Sequence, residues 1–425
     1  MKNYFYKKLF HYLSLYCLKE NTIFEINSRN EKIGNFFGAN YKSSESIPDS
    51  LDTDYVLLNG SLHYEGDIQE YLETIRKRVK PGVRLIILYY SSLWKPWIRL
   101  ATFLRIRQNT TEKNWISHED IDNFLLLSDF ELVRRDQKIL IPFYIPILSN
   151  LINRYLAPLP FFQQLTLVNI AIAKPALKED ENPLKQASVS VVVAARNEEG
   201  NIENIVRRVP KMGPDDELIF VEGNSTDNTW EKIQEVVKNY KGPLKIKIAQ
   251  QDGKGKGDAV RKGFGIAEKE ILMILDADLT VPPEDLPKFY KAITESKGEY
   301  INGSRLVYPM EKKAMRFFNM LGNKFFALAF SFVLGQRFKD TLCGTKVLTR
   351  ENYLKLAANR SYFGEFDPFG DFDLIFGSAR MGLKIVEVPI TYRERTYGDT
   401  NISRWKHGAI LLAMLFFAAR KIKFI

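Results

Sequence analysis

The sequence predicts an α/β protein of two domains, and three observations carry that reading. The chain has 425 residues and 45% apolar content, too long for one ordinary core and too apolar for disorder. Short apolar runs alternate with amphipathic, helix-patterned segments in both halves, the order that builds a sheet with helical crossovers. Between the halves lies Lys174-Pro-Ala-Leu-Lys-Glu-Asp-Glu-Asn-Pro183, charged, aperiodic and carrying two prolines, which reads as a linker. The expected division is one α/β domain over 1–176, the linker over 177–186, a second domain with a Rossmann-like, mostly parallel sheet over 187–400, and a basic-flanked amphipathic tail over 401–425.

The net charge of +10 suggests an anionic partner: nucleotide phosphate, anionic lipid or nucleic acid. No basic-aromatic recognition module stands out, so nucleic acid is not expected. Cys17 and Cys343 have no metal-site spacing and fit a reducing compartment. Tyr4 to Leu18 is apolar but broken by Lys7, Lys8 and His11, and it lacks a small-residue cleavage site, so it does not read as a signal peptide. No run reaches the roughly 18–20 apolar residues that span a bilayer.

In the first half, Thr22-Ile-Phe-Glu25 reads as a strand, and the short segment before Asp54 leaves little room for a second βα unit. Asp54-Tyr-Val-Leu-Leu reads as a buried strand ending in the loop Asn59-Gly-Ser-Leu-His63. A helix over Gly66–Val79 is stopped by Lys80-Pro-Gly82, and Arg84–Tyr89 is the next strand. Ser117-His-Glu-Asp120 is a capping box for a helix to Leu127. Glu131–Val133 and Leu165–Ala173 form a late pair of strands. Trp94-Lys-Pro-Trp97 and Leu140 to Phe162 are rich in aromatics, Leu, Ile and Pro; such segments cover a sheet, pack on a second domain or touch lipid.

Over about 50–175 this order resembles the second half of a class I S-adenosylmethionine-dependent methyltransferase. The resemblance implies a Glu-x-Gly-x-Gly-x-Gly loop after the first strand, but Glu25 is followed by Ile26-Asn-Ser-Arg-Asn30, without one glycine. S-adenosylmethionine is therefore not expected as a cofactor, and the domain reads as degenerate. His63 is a candidate ligand or base on its loop, although a loop histidine is more often neither.

The second half is organised around Ile271-Leu-Met-Ile-Leu-Asp276-Ala-Asp278-Leu-Thr280. Five apolar residues read as a central parallel strand. Asp276 and Asp278 follow at its C-terminal end, where open α/β sheets bind ligands, and the i, i+2 spacing aims both carboxylates to one side. Hard oxygen donors there suit Mg²⁺ or Mn²⁺, which in turn hold a diphosphate. Upstream, strands Ser188–Ala194, Glu217–Val221 and Leu244–Ala249 alternate with helices Asn197–Val209 and Asn228–Lys238. The Gly253-Lys-Gly-Lys-Gly257 loop offers amides and two ammonium groups to phosphate, but its spacing is not that of a P-loop.

Residues 187–405 resemble a family 2 glycosyltransferase of the GT-A fold, near the dolichyl-phosphate mannose synthase branch. The matching pieces are Ala194-Ala-Arg-Asn-Glu198-Glu, Val221-Glu-Gly-Asn-Ser-Thr-Asp227, Gly253-Lys-Gly-Lys-Gly257, Asp276-Ala-Asp278, Gly303-Ser-Arg305, Asp340-Thr-Leu-Cys-Gly344 and Val388-Pro-Ile-Thr-Tyr392. The resemblance implies a nucleotide-sugar site at Ala195, Arg196, Glu198, Glu222, Lys254, Lys256 and Asp276, with metal at Asp276 and Asp278. It implies an acceptor phosphate held by Arg305, Arg316 and Arg395. Glu222 stands where the family usually has Asp, and Thr280 where the mannose synthases usually have a metal-binding Gln.

The implied reaction is inverting hexose transfer from GDP-mannose or UDP-glucose to a polyprenyl phosphate, with Asp278 and Arg305 in catalytic positions. A phosphate monoester is already ionised near neutrality and needs no strong base. A sugar hydroxyl acceptor would need one, and Asp373 in Phe369-Gly-Asp371-Phe-Asp373 is the candidate. Met315–Leu334 and the tail Arg404–Lys423, twelve uncharged, mostly apolar residues between basic ends, fit either helices lying in a membrane interface or core helices. The expected location is the cytoplasmic face of a membrane, held peripherally. Methyl transfer by the first half and a non-catalytic scaffold are the other readings.

Overall fold

The computed structural model describes residues 2–18, 20–28, 33–106, 110, 112–178, 181–308, 317–362, 372–395, 397 and 404–425. The chain divides into two compact units, Met1–Leu177 with Arg420–Ile425, and Lys178–Ala419.

In the first unit the elements run α1 (Lys2–Leu13), β1 (Ile23–Ile26), α2 (Gly34–Phe37), β2 (Tyr41–Ser44), β3 (Tyr55–Asn59), α3 (Ile68–Arg78), β4 (Arg84–Tyr90), α4 (Lys95–Phe103), α5 (His118–Leu127), β5 (Phe130–Lys138), α6 (Leu148–Leu151), α7 (Pro160–Gln163) and β6 (Val168–Pro175). They build a six-stranded sheet of order β2-β1-β3-β4-β6-β5. The first four strands are parallel; β6 runs antiparallel between β4 and β5. Val56, Leu58, Leu85 and Ile87 pack one sheet face against Leu72 and Ile75 of α3 and Ile121 and Leu125 of α5. Asp67 caps α3 by accepting from the Glu70 N–H, and the Ser117/Asp120 capping box opens α5 as its sequence predicts.

The structure corrects two expectations here and gives His63 a structural place, neither ligand nor base. There is room for a further βα unit before Asp54. Among the described residues, α2 and a 3-10 turn at Gly38–Asn40 lie between β1 and the parallel strand β2, and the fourteen positions from 27 to 40 are close to the minimum length of a parallel crossover. His63 is a structural clamp. Its buried ring accepts from the Tyr90 N–H at Nε2 (2.8 Å), so Nδ1 carries the proton and donates to the Asn114 carbonyl (2.7 Å). The end of the tail is also not an interfacial anchor. Ile422 and Lys423 are buried in this unit, and Lys423 Nζ lies 3.6 Å from Asp136 on β5. Asp136 also meets Arg134 (2.7 Å) and accepts from the Tyr16 hydroxyl, so Lys423 serves a buried ionic cluster.

In the second unit the order is β7 (Val189–Ala195), α8 (Glu199–Arg208), β8 (Glu217–Glu222), α9 (Thr229–Asn239), β9 (Lys245–Gln250), α10 (Lys256–Ile266), β10 (Ile271–Asp276), α11 (Leu286–Thr294), β11 (Tyr300–Ser304), α12 (Phe317–Leu334), β12 (Lys346–Thr349), α13 (Arg350–Ala358), α14 (Phe372–Arg380), β13 (Ile385–Pro389) and α15 (Arg404–Ala418). The seven strands order as β13-β11-β12-β10-β7-β8-β9, with β12 antiparallel to both neighbours. The mostly parallel sheet is thus as expected, and β10 sits at its centre. Val191 and Val193 of β7, Met273 and Leu275 of β10 and Phe220 of β8 share one core with α8 and α11. The later half of the expected linker is part of this unit, since Leu184 packs on that core and the Asn182 amide donates to the Thr294 carbonyl. Among the described residues no helix is long and apolar enough to cross a membrane.

Candidate active site

Parallel pairing lines up the chemistry along one sheet edge. Asp276 is in register with Ala194, Ala195 with Glu222, and Glu222 with Gln250. The strand ends of β10, β7, β8 and β9 therefore present one row of side chains at the C-terminal edge, as the crevice rule for open sheets expects.

Each carboxylate of Asp276-Ala-Asp278 carries a cation from a different element. Lys256, the first residue of α10, places Nζ 2.7 Å from Asp276 Oδ1. Arg395 places Nη2 2.7 Å from Asp278 Oδ2, and its Nη1 lies 3.4 Å from Glu198 Oε1. Burial works to raise the Asp276 pKa, but the charges of Lys256, Lys346 and Arg305 hold it below the usual carboxylate range. Thr280 donates to Asp278 Oδ1 from both its hydroxyl (2.8 Å) and its N–H (3.1 Å). Leu279 between them has φ +55°, a left-handed backbone disfavoured for a branched side chain and of a kind concentrated at functional sites. Thr280 thus orients Asp278, a role its short side chain suits.

Gly344 explains its own motif. A Cβ there would lie 2.0 Å from Asp276 Oδ2, so only glycine lets the carboxylate rest on that backbone. Asp340, four residues earlier, locks Arg305. It accepts from Arg305 Nε (2.7 Å), Nη2 (2.8 Å) and N–H (3.0 Å), while Asn323 adds a fourth bond (3.1 Å). The Arg305 guanidinium also stacks over the Tyr392 ring.

Residues 190–354 match the family model described as Glycosyl transferase family 2. That segment is a glycosyl transferase family 2 domain. Its similar relatives include glycosyltransferase AglJ of Haloferax volcanii, 28% identical over 235 residues covering 55% of this chain and 72% of the relative. A dolichol-phosphate mannosyltransferase of Pyrococcus furiosus is 31% identical over 220 residues, covering 50% of this chain and 59% of the relative. A dolichyl-phosphate hexose transferase of Haloferax volcanii is 28% identical over 226 residues, covering 52% and 90%.

The glycosyltransferase edge brings together most of the expected donor residues. Ala195 is buried at the end of β7, where its carbonyl accepts from the Gly223 N–H (2.8 Å), and Arg196 follows it exposed. Glu222 accepts from the Ser225 N–H (2.6 Å) and the Gln250 amide (3.2 Å) and walls a cleft of about 290 Å³ with Asp227 and Trp230. Lys254 is exposed on its loop. Arg316 and Asp371 lie outside the described residues. Asp373 is placed otherwise than its assignment as a base. Its Oδ2 accepts from Arg360 Nε (3.1 Å) and lies 4.0 Å from Arg261, so it anchors two guanidinium groups. Arg305 likewise spends two of its donors on Asp340 instead of facing an open site, because a buried guanidinium needs a counter-charge. Asp340 and Gly344 belong to the Asp340-Thr-Leu-Cys-Gly344 motif, for which the sequence implies no roles; an acidic and a small residue just before β12 are its signal.

Glu198 is not the helix cap its position suggests; it makes no capping bond and accepts from the Asn201 amide (2.7 Å). Burial, with Asp278 and Asp227 adding to it, pushes its carboxyl up to about 7 despite Asn201 and Arg395. A folded pKa above the ordinary 4.5 means that the charged form costs stability, absent below pH 4.5 and complete above about 7. Thermal melts of wild type and Glu198→Gln should therefore converge near pH 4.5, with the variant gaining relative stability as pH rises to 7. A constant gap across that range would refute the assignment.

Proposed function

We propose that this glycosyltransferase moves a hexose from a nucleotide sugar, GDP-mannose or UDP-glucose, to a polyprenyl phosphate at a membrane surface. The observation that carries the reading is the pair of cation-matched carboxylates, Lys256 on Asp276 and Arg395 on Asp278, beside Glu198 and the Glu222 cleft. The names of the relatives, among them dolichol-phosphate mannosyltransferase and dolichyl-phosphate hexose transferase, support a lipid-phosphate acceptor.

Two carboxylates suit Mg²⁺ or Mn²⁺ held jointly with a diphosphate and water, since among the described residues no third carboxylate, His or Cys joins them. Bound there, the ion would stabilise charge on the leaving nucleotide. The chain's own residues do the rest. Asp276 and Asp278 orient the diphosphate end of the donor. Lys256 and Arg395, already at the edge, exchange a carboxylate partner for phosphate oxygens. Glu198 and Glu222 accept from the nucleoside. Arg395 adds positive charge on the acceptor side, Arg305 stays locked to Asp340, and the acceptor phosphate attacks the anomeric carbon without a side-chain base. Asp373, engaged by two arginines, gives the hydroxyl-acceptor reading little support.

Lipid access fits α12 and α15, which pack together. Leu321, Phe325 and Leu328 form an exposed i, i+4, i+7 stripe on α12, and Leu412 and Phe416 are exposed on α15. We place the enzyme peripherally at the inner membrane face. The first unit we read as a methyltransferase-like domain that does not bind S-adenosylmethionine. The Tyr41 hydroxyl supports this by donating to Glu25 (2.5 Å) at the end of β1, the place where the cofactor loop would lie.

The test is transfer of label from GDP-mannose and UDP-glucose into solvent-extractable lipid, with undecaprenyl or dolichyl phosphate added. Chelator-sensitive labelling by one donor is expected. Nucleotide-sugar hydrolysis without lipid labelling would overturn the acceptor.

A further inference from the structure

The first unit has surface segments that are inside out for a surface facing water. On α4 the one buried side chain of the helix is Ile98. Trp97, Leu100, Phe103 and Leu104 lie on the opposite side, with Trp97 64% and Phe103 83% exposed. Residues 147–156 repeat the inversion. Ser149 and Asn153, spaced i, i+4, are buried and hydrogen-bonded to the backbone at Ile145, Phe143 and Leu140, whereas Ile147 (74% exposed), Leu148, Leu151 and Tyr155 face out. Polar side chains satisfied inward and apolar ones clustered outward mark a surface that meets an apolar medium.

The segments belong to one region. The Trp94 indole N–H donates to the Leu165 carbonyl (2.8 Å), and the Ser91 N–H to that of Leu167 (2.9 Å), which seats the start of α4 beside the stretch holding the exposed Phe161 and Leu165. Tyr4 of α1 bonds Asn150 and lies 5.5 Å ring to ring from Tyr144, bringing Lys7 and Lys8 of the same helix to the other segment.

Charge selects the medium. No Asp or Glu occurs between Lys80 and Glu112, nor between Asp136 and Glu179, while Lys95, Arg99, Arg105 and Arg154 do occur there. Exposed aromatics among basic side chains without acids match the interfacial zone of an anionic bilayer, where indole and phenol rings sit at headgroup depth and Lys and Arg meet lipid phosphate.

We propose that the first unit is a membrane-docking module, and that α4 together with residues 143–165 inserts into the interface of anionic lipid. Docking does not require the acceptor reading; its purpose, bringing the transferase to a lipid substrate, rests on it.

The experiment is flotation of the purified full chain with vesicles of phosphatidylcholine, alone or with about 30% phosphatidylglycerol. Wild type is expected to float, several-fold more on the anionic vesicles. Trp97→Glu/Phe103→Glu and Ile147→Glu/Phe161→Glu should each lower the bound fraction by about tenfold or more. Melting temperature checks that each variant folds, and Trp97→Ala/Phe103→Ala replaces the first pair should it not. Transfer to a short, water-soluble prenyl phosphate, assayed without vesicles, should equal wild type in every variant. Flotation of both double variants at the wild-type level overturns the proposal. So does a wild-type dimer that the substitutions dissociate without any vesicle binding, which would make a second copy the occupant. Normal flotation with no transfer to any prenyl phosphate leaves docking standing and overturns the acceptor reading instead.

Discussion

Replacing Asp278 with Asn should reduce sugar transfer by at least about a hundredfold, the scale of losing one preorganised charge that stabilises a transition state. The substitution is nearly isosteric. The Asn carbonyl still accepts from Thr280, so the left-handed turn at Leu279 keeps its local support. What goes is the negative charge that holds a divalent ion and pairs with Arg395 at 2.7 Å. The fall should appear in kcat at saturating donor, with melting temperature close to wild type. Activity within twofold of wild type would remove Asp278 from the metal and diphosphate site.

The second large effect concerns stability. Asp340 is fully buried and accepts from Arg305 twice through the guanidinium. Asp340→Ala strands that guanidinium in the interior, and removing one partner of a buried pair costs about 3–5 kcal/mol. For a unit of this size that lowers the melting temperature by roughly 10 °C. Arg305→Met added to Asp340→Ala should restore much of the loss, because the cost lies in the unpaired charge and not in the cavity. If Asp340→Ala melts like wild type, Arg305 is reaching water and the pair is not a structural lock. The acid side gives a further check. Burial raises the Asp340 pKa, but Arg305 pulls it down to about 2, below the ordinary 3.8. The stabilisation it supplies is therefore whole above pH 3.8 and lost as pH falls through 2.

Much of the architecture was legible because it is written locally. The run Ile271–Leu275 is apolar at every position, as a strand covered on both faces must be, and it became the central strand. The Ser117/Asp120 box and the Lys80-Pro-Gly82 stop mark helix ends through bonds between near neighbours in sequence. The transferase half was identifiable for the same reason, since the residues at strand ends form short motifs in fixed order.

What the sequence by itself determined is the fold class, the family of the second half and the place of the Asp276/Asp278 pair at a sheet edge. Only the tertiary structure decided which charges meet. Lys256 reaches Asp276 across twenty positions, Arg395 reaches Asp278 across 117, and Lys423 reaches Asp136 from the far end of the chain. Such partners are set by sheet order and crossover, which leave no local periodic trace. The same holds for which face of α4 is outward. The pattern of Trp97, Ile98, Leu100 and Leu104 is amphipathic from either side, and only packing shows that Ile98 faces the core while the wider apolar stripe does not.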